Sequence, residues 1–336
     1  MTDEVNAPGG DTPRISAVVP TYGRSRLLPG AVVSLLSQDL PAREFEVLVV
    51  DNNPQPEMRG TVEGLARARP GVEGPTLRYI HEPRLGLHNA RHAAARAARA
   101  PVIALIDDDA VADPGWLRAL LAAYDDPAIA AVGGKLVPRW EAEPPAWIRE
   151  LPGVYLSLLD HGPRRRDVSW QEGIYGCNFS VRVDALRAVG GFNPECVGDR
   201  WLGDGESGLL RKLEAAGYRI VYTPDAVVHH IIPAQRASRE GMMRRFANYG
   251  ANDSYVAFRE KRPGRPRLGL RALALATLSA AYGAAAQAAR MAGLERFNWY
   301  SLRQAYYRSR ASYELRLVFD RSLRQFAERE NWLNES

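Results

Sequence analysis

Short apolar runs alternate with longer amphipathic stretches over the first third of the chain. Residues 15–19 (ISAVV) read as a buried strand running into the turn-prone Pro20-Thr21-Tyr22-Gly23. Leu27, Leu28, Val32, Leu35 and Leu36 recur at helical spacing and predict a helix over 26–38. Residues 45–50 (FEVLVV) predict a second strand, stopped by Asp51-Asn52-Asn53-Pro54. A polar helix over 57–68, a strand over 76–80, an Ala/Arg-rich helix over 86–100 and a strand over 102–106 follow. Strand–helix alternation of this kind predicts an α/β fold: a mostly parallel sheet with helices on both faces. Ligands of such sheets bind beyond the carboxyl ends of the strands. Pro20-Thr21, Asp51 and the triplet Asp107-Asp108-Asp109 all fall at that edge.

Between 131 and 232 the pattern mixes short strands with Gly/Pro loops. Gly190-Gly191-Phe192-Asn193-Pro194 reads as a turn cluster, and 206–217 as a helix closed by Gly217. Two short apolar runs, 220–222 and 226–228, lead into His229-His230. From 235 the pattern is helical, with one break at 261–266. The Ala/Leu-rich stretch 268–294 has 15 residues between Arg271 and Gln287 without a charge or amide. A bilayer needs roughly 20, so this stretch reads as a packed or interfacial helix. The expected organisation is a disordered lead-in (1–13), an α/β domain (14–234, with halves 14–110 and 111–234) and a basic helical extension (235–336).

Composition changes the picture in two places. Cys177 and Cys196 are the only cysteines, which removes a disulfide framework and makes a reducing cytoplasm the expected compartment. The opening MTDEVNAPGGDTPR has no apolar stretch of the kind a signal peptide needs. The net charge of +5 is uneven: after position 234 there are 19 Lys/Arg against 9 Asp/Glu. A basic tail on a mildly acidic body points to an anionic partner, such as a lipid surface or a phosphate-bearing substrate. Arg244, Arg245, Arg259, Lys261, Arg262, Arg265 and Arg267 form its densest stretch. Trp299, Tyr300, Tyr306, Tyr307, Tyr313 and Phe319 read as core between tail helices, or as a homodimer interface.

Three sets of residues carry candidate chemistry. Alternate carboxylates in Asp107-Asp108-Asp109 diverge at a strand end, one toward a divalent cation and one toward a sugar hydroxyl. Oxygen ligands suit Mg²⁺ or Mn²⁺, which keep open positions for phosphates. Helix capping accounts for Asp113 better than for the triplet. His229 or His230 could add a metal ligand, or serve the structure. Asp204 and Glu206, at a helix start, offer a general base, with capping as the plainer alternative.

The stretches VVPTYGR (18–24), VVVDNNP (48–54), EPRLGLHNAR (82–91), LIDDDAVADPGWL (105–117), GCNFSVRVDALRAVGGFNP (176–194) and GDGESGLLRKLEAAGYRIVYTPDAVVHH (203–230) stand in a telling order. Together they resemble inverting family 2 glycosyltransferases of the GT-A fold, over roughly 14–232. The resemblance implies a sugar moved from a nucleotide-diphosphate donor, typically a UDP-sugar, by single displacement with Mn²⁺ or Mg²⁺. It assigns Pro20, Thr21 and Tyr22 to the nucleotide pocket, and Asp51 to the base with Arg91 nearby. Asp107 or Asp108 would contact ribose or sugar, and Asp109 would hold the metal. Gly176, Cys177 and Asn178 would shape the donor-sugar and acceptor region, and His229 or His230 would meet the metal or diphosphate. Many relatives carry Glu-Asp ahead of the helix, with the Asp as base. Here the pair is Glu206-Ser207, so the duty passes to Glu206 or to Asp204. The acceptor could be a carbohydrate, a lipid-linked sugar, a peptide or a small molecule, with a peripheral contact at the inner face of the membrane. Two other classes stay open: an impaired sugar-nucleotide-binding protein, and a nucleic-acid binder acting through the tail.

Overall fold

The computed structural model describes residues 2–4, 12–23, 26–68, 74–197, 200–201 and 203–333. Most of the expected disordered lead-in (1 and 5–11) lies outside these, as does Arg24 of the first motif; residues 2–4 form a strand. The strands are β1 (Thr2–Glu4), β2 (Ile15–Thr21), β3 (Phe45–Asp51), β4 (Thr76–His81), β5 (Val102–Leu105), β6 (Ala110–Ala112), β7 (Ile129–Trp140), β8 (Arg166–Asp167), β9 (Phe179–Arg182), β10 (Cys196–Val197), β11 (Arg200–Trp201) and β12 (Arg219–Ile232). The helices are α1 (Leu28–Leu36), α2 (Arg59–Arg67), α3 (Leu87–Ala97), α4 (Trp116–Ala122), α5 (Ala146–Arg149), α6 (Val183–Ala188), α7 (Gly205–Ala215), α8 (Arg239–Lys261), α9 (Arg265–Met291), α10 (Phe297–Phe319) and α11 (Arg321–Glu328).

One sheet runs in the order β1-β4-β3-β2-β5-β9-β7-β12-β6, with β8 on β12. The pairs β4-β3-β2-β5 and β7-β12 are parallel. Every residue of β2 and β3 is buried, as expected of parallel strands covered on both faces. The order reverses direction at β2, so the ends of β2, β3 and β5 open a crevice. Into it run Thr21 and the loop beginning at Asp107. The mostly parallel α/β architecture and the helical C-terminal region agree with the sequence pattern.

The two apolar runs 220–222 and 226–228 are one long strand, β12. Its register to β7 shifts between Thr223 and Val227, where Pro224, Asp225 and Ala226 form a bulge. Gly134 makes the bulge fit: a Cβ there would lie 1.9 Å from the Ala226 carbonyl oxygen. Asn178 pins the same bulge from the side, donating to the carbonyls of Lys135 (3.0 Å) and Ala226 (2.8 Å).

The helical extension shares its core with the sheet domain. Ile148, Leu156 and Ile232 pack with Met242, Phe246 and Leu302 in one cluster. By length and composition α9 could reach across a membrane. In the fold it packs along α10, where Arg271 pairs with the buried Glu314 at 2.8 Å. The aromatic residues of α10 divide: Tyr313 is buried, whereas Phe319, expected in the core, is 78% exposed. The basic stretch is no single patch. Arg245 turns into a cavity, and Arg259 donates to the carbonyls of Ala327 and Arg329, holding the C-terminal segment.

Candidate active site

Two cavities, each of about 250 Å³, meet at the acid triplet. The first opens along the ends of β2 and β5 and is lined by Pro20, Thr21, Tyr22, Asn52, Gly86, Leu87 and all three aspartates. Thr21 Oγ1 donates to Asp108 Oδ2 at 2.6 Å, tying the β2 end to the triplet. Asn52 accepts from Gly86 N–H and donates to the carbonyls of Glu82 and Arg84, fixing the loop before α3. The second cavity lies under α8 and is lined by Asp107, Glu195, Asp204, Glu206 and Ser207. Arg236, Arg245, Asn248, Tyr249 and Asn252 of the C-terminal extension face them. Asp107 and Leu87 line both cavities.

Asp109 Oδ2 accepts from Arg236 Nη1 at 3.2 Å and lies 3.5 Å from His230 Nε2, while Asp109 Oδ1 is buried without a partner. Burial works to raise the Asp109 carboxyl, but His230 and Arg236 outweigh it and hold it below the usual range. Burial and then the neighbouring Asp109 push Asp107 the other way. Ligand atoms of Asp107, Asp109 and Cys177 lie within 4.8 Å of one another. An orphaned carboxylate oxygen beside a second, crowded carboxylate fits a hard divalent cation. Cys177 is the softer member of the set: burial raises its thiol well above the ordinary value, and a hard cation prefers the two carboxylates.

Deeper in the second cavity Glu206 is joined by a second acid, Glu195, which the sequence did not single out. Arg91, 2% exposed, lies 3.4 Å from Glu195 and 3.3 Å from Glu206. Burial raises Glu195, and repulsion from Glu206 adds to it, so Glu195 keeps its proton and hydrogen-bonds to Glu206. Burial would raise Glu206 too. Arg91, the Glu195 hydrogen bond and backbone N–H groups reverse that, and Glu206 is held below its usual range. Its place in the first turn of α7 favours the same charge. Gly176 leaves room for the pair: a Cβ there would lie 2.2 Å from Arg91 Nη2.

Five of the expected site residues have surroundings other than those the sequence implied. His229 points away from the triplet and binds Asp113 Oδ1 at 2.8 Å, because neighbours on β12 face opposite sides of the sheet. Asp51 is fully buried, accepting from Asn53, Met58 N–H and Tyr79, so it braces the turn while Asn52 reaches the cleft. Arg91 stands beside Glu195 and Glu206 and not beside the base pocket. Asn178 is fully buried, with its Oδ1 taken by Trp116 Nε1 at 2.8 Å in addition to its two donor bonds. Asp204 lines the cavity but is spent on Asn193 (2.8 Å) and Arg211 (3.2 Å), which leaves it poorly placed to take a proton.

A family model described as Glycosyl transferase family 2 matches residues 16–190. The glucosyl-dolichyl phosphate glucuronosyltransferase of Haloferax volcanii is 30% identical over 223 residues, covering 65% of this chain and 69% of that protein. The succinoglycan biosynthesis protein ExoM of Rhizobium meliloti is 29% identical over 240 residues, covering 70% and 72%. Among solved structures, the mannosyltransferase PcManGT from Pyrobaculum calidifontis, in complex with GDP-Man and Mn²⁺, superposes with a TM-score of 0.60 at 22% identity. That superposition covers 92% of this chain and 88% of the other.

Proposed function

The chain belongs to glycosyl transferase family 2, and we propose that it moves a sugar from a nucleoside diphosphate donor to an acceptor hydroxyl by an inverting, metal-dependent single displacement. One observation carries this reading: Asp107 stands at the junction of two cavities, with Glu206 in the second. The first cavity takes the nucleotide sugar along Pro20, Thr21, Tyr22 and Asp108, and the second takes the acceptor. A UDP-sugar is the first donor to try; GDP-mannose, bound by PcManGT, is the natural comparison.

Asp109 and Asp107 would hold the cation, with His230 behind Asp109. Such an ion, when bound, offsets charge on the leaving diphosphate. Arg236 is placed to add a second positive charge there. Glu206 is the base: ionised across the neutral range, it accepts the acceptor hydroxyl's proton as the oxygen attacks the anomeric carbon. Ser207, lacking a titratable proton acceptor, lines the cavity beside it. Glu195 and Arg91 keep Glu206 ionised and in place.

The fold's own use of the tail disfavours a nucleic-acid role. Arg303 stacks within the bundle on Tyr306 and Tyr307, and Arg271 is paired, so these side chains are already spent internally. A protein that only binds sugar nucleotides would lack turnover. Proton NMR of the wild type with an α-linked UDP-sugar and Mn²⁺ provides the test. The sugar passed to acceptor, or slowly to water, appears first as the β-anomer; first appearance of the α-anomer excludes single displacement.

A further inference from the structure

We propose that the acceptor carries an anionic group, phosphate or carboxylate, and that Arg245 receives it. The inference rests on the transferase reading above and names the class of molecule that fills its second cavity. Charges around that cavity are matched with one exception. Arg91 faces Glu206, Arg236 faces Asp109, Arg211 faces Asp204 and Arg166 faces Glu172 at 2.8 Å. Glu195 keeps its proton, and Asp107 belongs to the cation. Arg245 alone among the described charged residues of the wall has no counter-ion. Its Nη2 donates to two neutral oxygens, Ser157 Oγ at 2.5 Å and Tyr249 Oη at 3.2 Å, and its Nε is buried without a partner.

A guanidinium cannot shed its proton to escape this setting. Two hydroxyls and the Tyr249 ring, whose centroid lies 5.1 Å from Arg245 Cζ, ease its burial without neutralising it, and an anion supplied by the ligand would complete that. The surroundings suit such an anion. Asn248 and Asn252 follow Arg245 on the same face of α8, and both line the cavity. Asn252 Oδ1 is itself buried and unpartnered, so this amide has no internal partner for its oxygen. That oxygen can only accept, so it suits a hydroxyl of the same ligand, while Arg245 and the amide N–H groups of Asn248 and Asn252 can donate to the oxygens of one phosphate or carboxylate, the pairing guanidinium favours. Tyr175 and Trp170 line the same space and give apolar faces for a sugar ring.

Calorimetry with the full-length protein tests this, first without nucleotide and then with saturating UDP and Mn²⁺. The probes are inorganic phosphate, glucose 1-phosphate, monodecyl phosphate below its micellar concentration, and methyl glucoside as the uncharged control. At least one phosphate probe is expected to bind tenfold or more tightly than methyl glucoside, with UDP still bound. Glucose 1-phosphate as the tighter probe points to a soluble sugar phosphate, and monodecyl phosphate to a lipid headgroup. Arg245→Gln is expected to erase that preference while leaving the affinity for UDP and the melting temperature near wild type; Arg245→Lys should keep part of it. Equal binding of charged and neutral probes overturns the proposal, as does a preference that survives in Arg245→Gln. Loss of UDP affinity in Arg245→Gln also overturns it, by assigning the arginine to the donor. Failure of the wild type to bind either UDP or GDP would count against the transferase reading, while the titrations without nucleotide still decide the role of Arg245.

Discussion

Glu206→Gln is expected to lower transfer by about a hundred- to ten-thousandfold, the range a positioned general base contributes. Donor binding should be unchanged, because Glu206 lines only the second cavity. The amide keeps the size of the side chain and can still accept from Gly176 N–H, which donates to Glu206 Oε1 at 3.3 Å. It cannot take a proton. Glu195→Gln makes the contrasting variant, since it replaces a protonated carboxyl with a neutral donor. Near neutral pH it should retain most activity. Wild-type kcat/KM should fall as pH rises through the raised value of Glu195 and a second negative charge appears beside Glu206; in Glu195→Gln that fall should disappear. Stability follows the same sign. Above the ordinary glutamate value of 4.5 the native state holds a proton that the unfolded chain has lost. Wild type should therefore lose stability relative to Glu195→Gln as pH rises from 4.5 toward the raised native value. Parallel melting curves at several pH values would read this, and curves that stay a constant distance apart would contradict the shared proton.

Arg91→Met should produce the largest loss of stability of any change at the site, about 3–5 kcal/mol, because it strands buried acids without their cation. The guanidinium is 2% exposed and also lies over the Phe192 ring, 5.2 Å from its centroid. Both Glu206 and Glu195 would rise in pKa, so the folded fraction should lose activity as well. A double-mutant cycle separates the two contributions. Adding Glu206→Gln to Arg91→Met should recover part of the lost stability, since one stranded charge is removed. Urea melts of the four proteins measure the coupling, and strictly additive effects would mean that Arg91 acts by packing alone.

The parallel half of the fold was legible because β2 and β3 are buried on both faces and read as unbroken apolar runs. The triplet was legible for a related reason: three acids at the end of such a run have few structural uses. What escaped depended on distant pairings. Asp51 was expected at the nucleotide base because the family resemblance assigns it there and it ends a strand, yet it accepts from Tyr79 of the neighbouring strand and lies buried. His229 and His230 look equivalent in sequence, and only the pairing of β12 with β6 decides which faces Asp109. Glu195 follows directly on a Gly-Gly-Phe-Asn-Pro turn, and a turn reading gave it no chemistry. Its proximity to Glu206 depends on the path from that turn to α7, which no periodicity encodes. Arg236 and Arg245 appeared as part of a general excess of positive charge. Only the packing of α8 and of the segment leading into it over the second cavity gives them individual partners.

The central claim is that the acid triplet binds a nucleotide through a divalent cation. Calorimetric titration of UDP and GDP into the wild type, with Mn²⁺ and then with EDTA, tests it most directly, alongside Asp109→Asn and Glu206→Gln. One nucleotide should bind at least tenfold more tightly with Mn²⁺; that enhancement should vanish in Asp109→Asn and persist in Glu206→Gln. Equal affinity in Mn²⁺ and EDTA, or an enhancement that survives in Asp109→Asn, would contradict it.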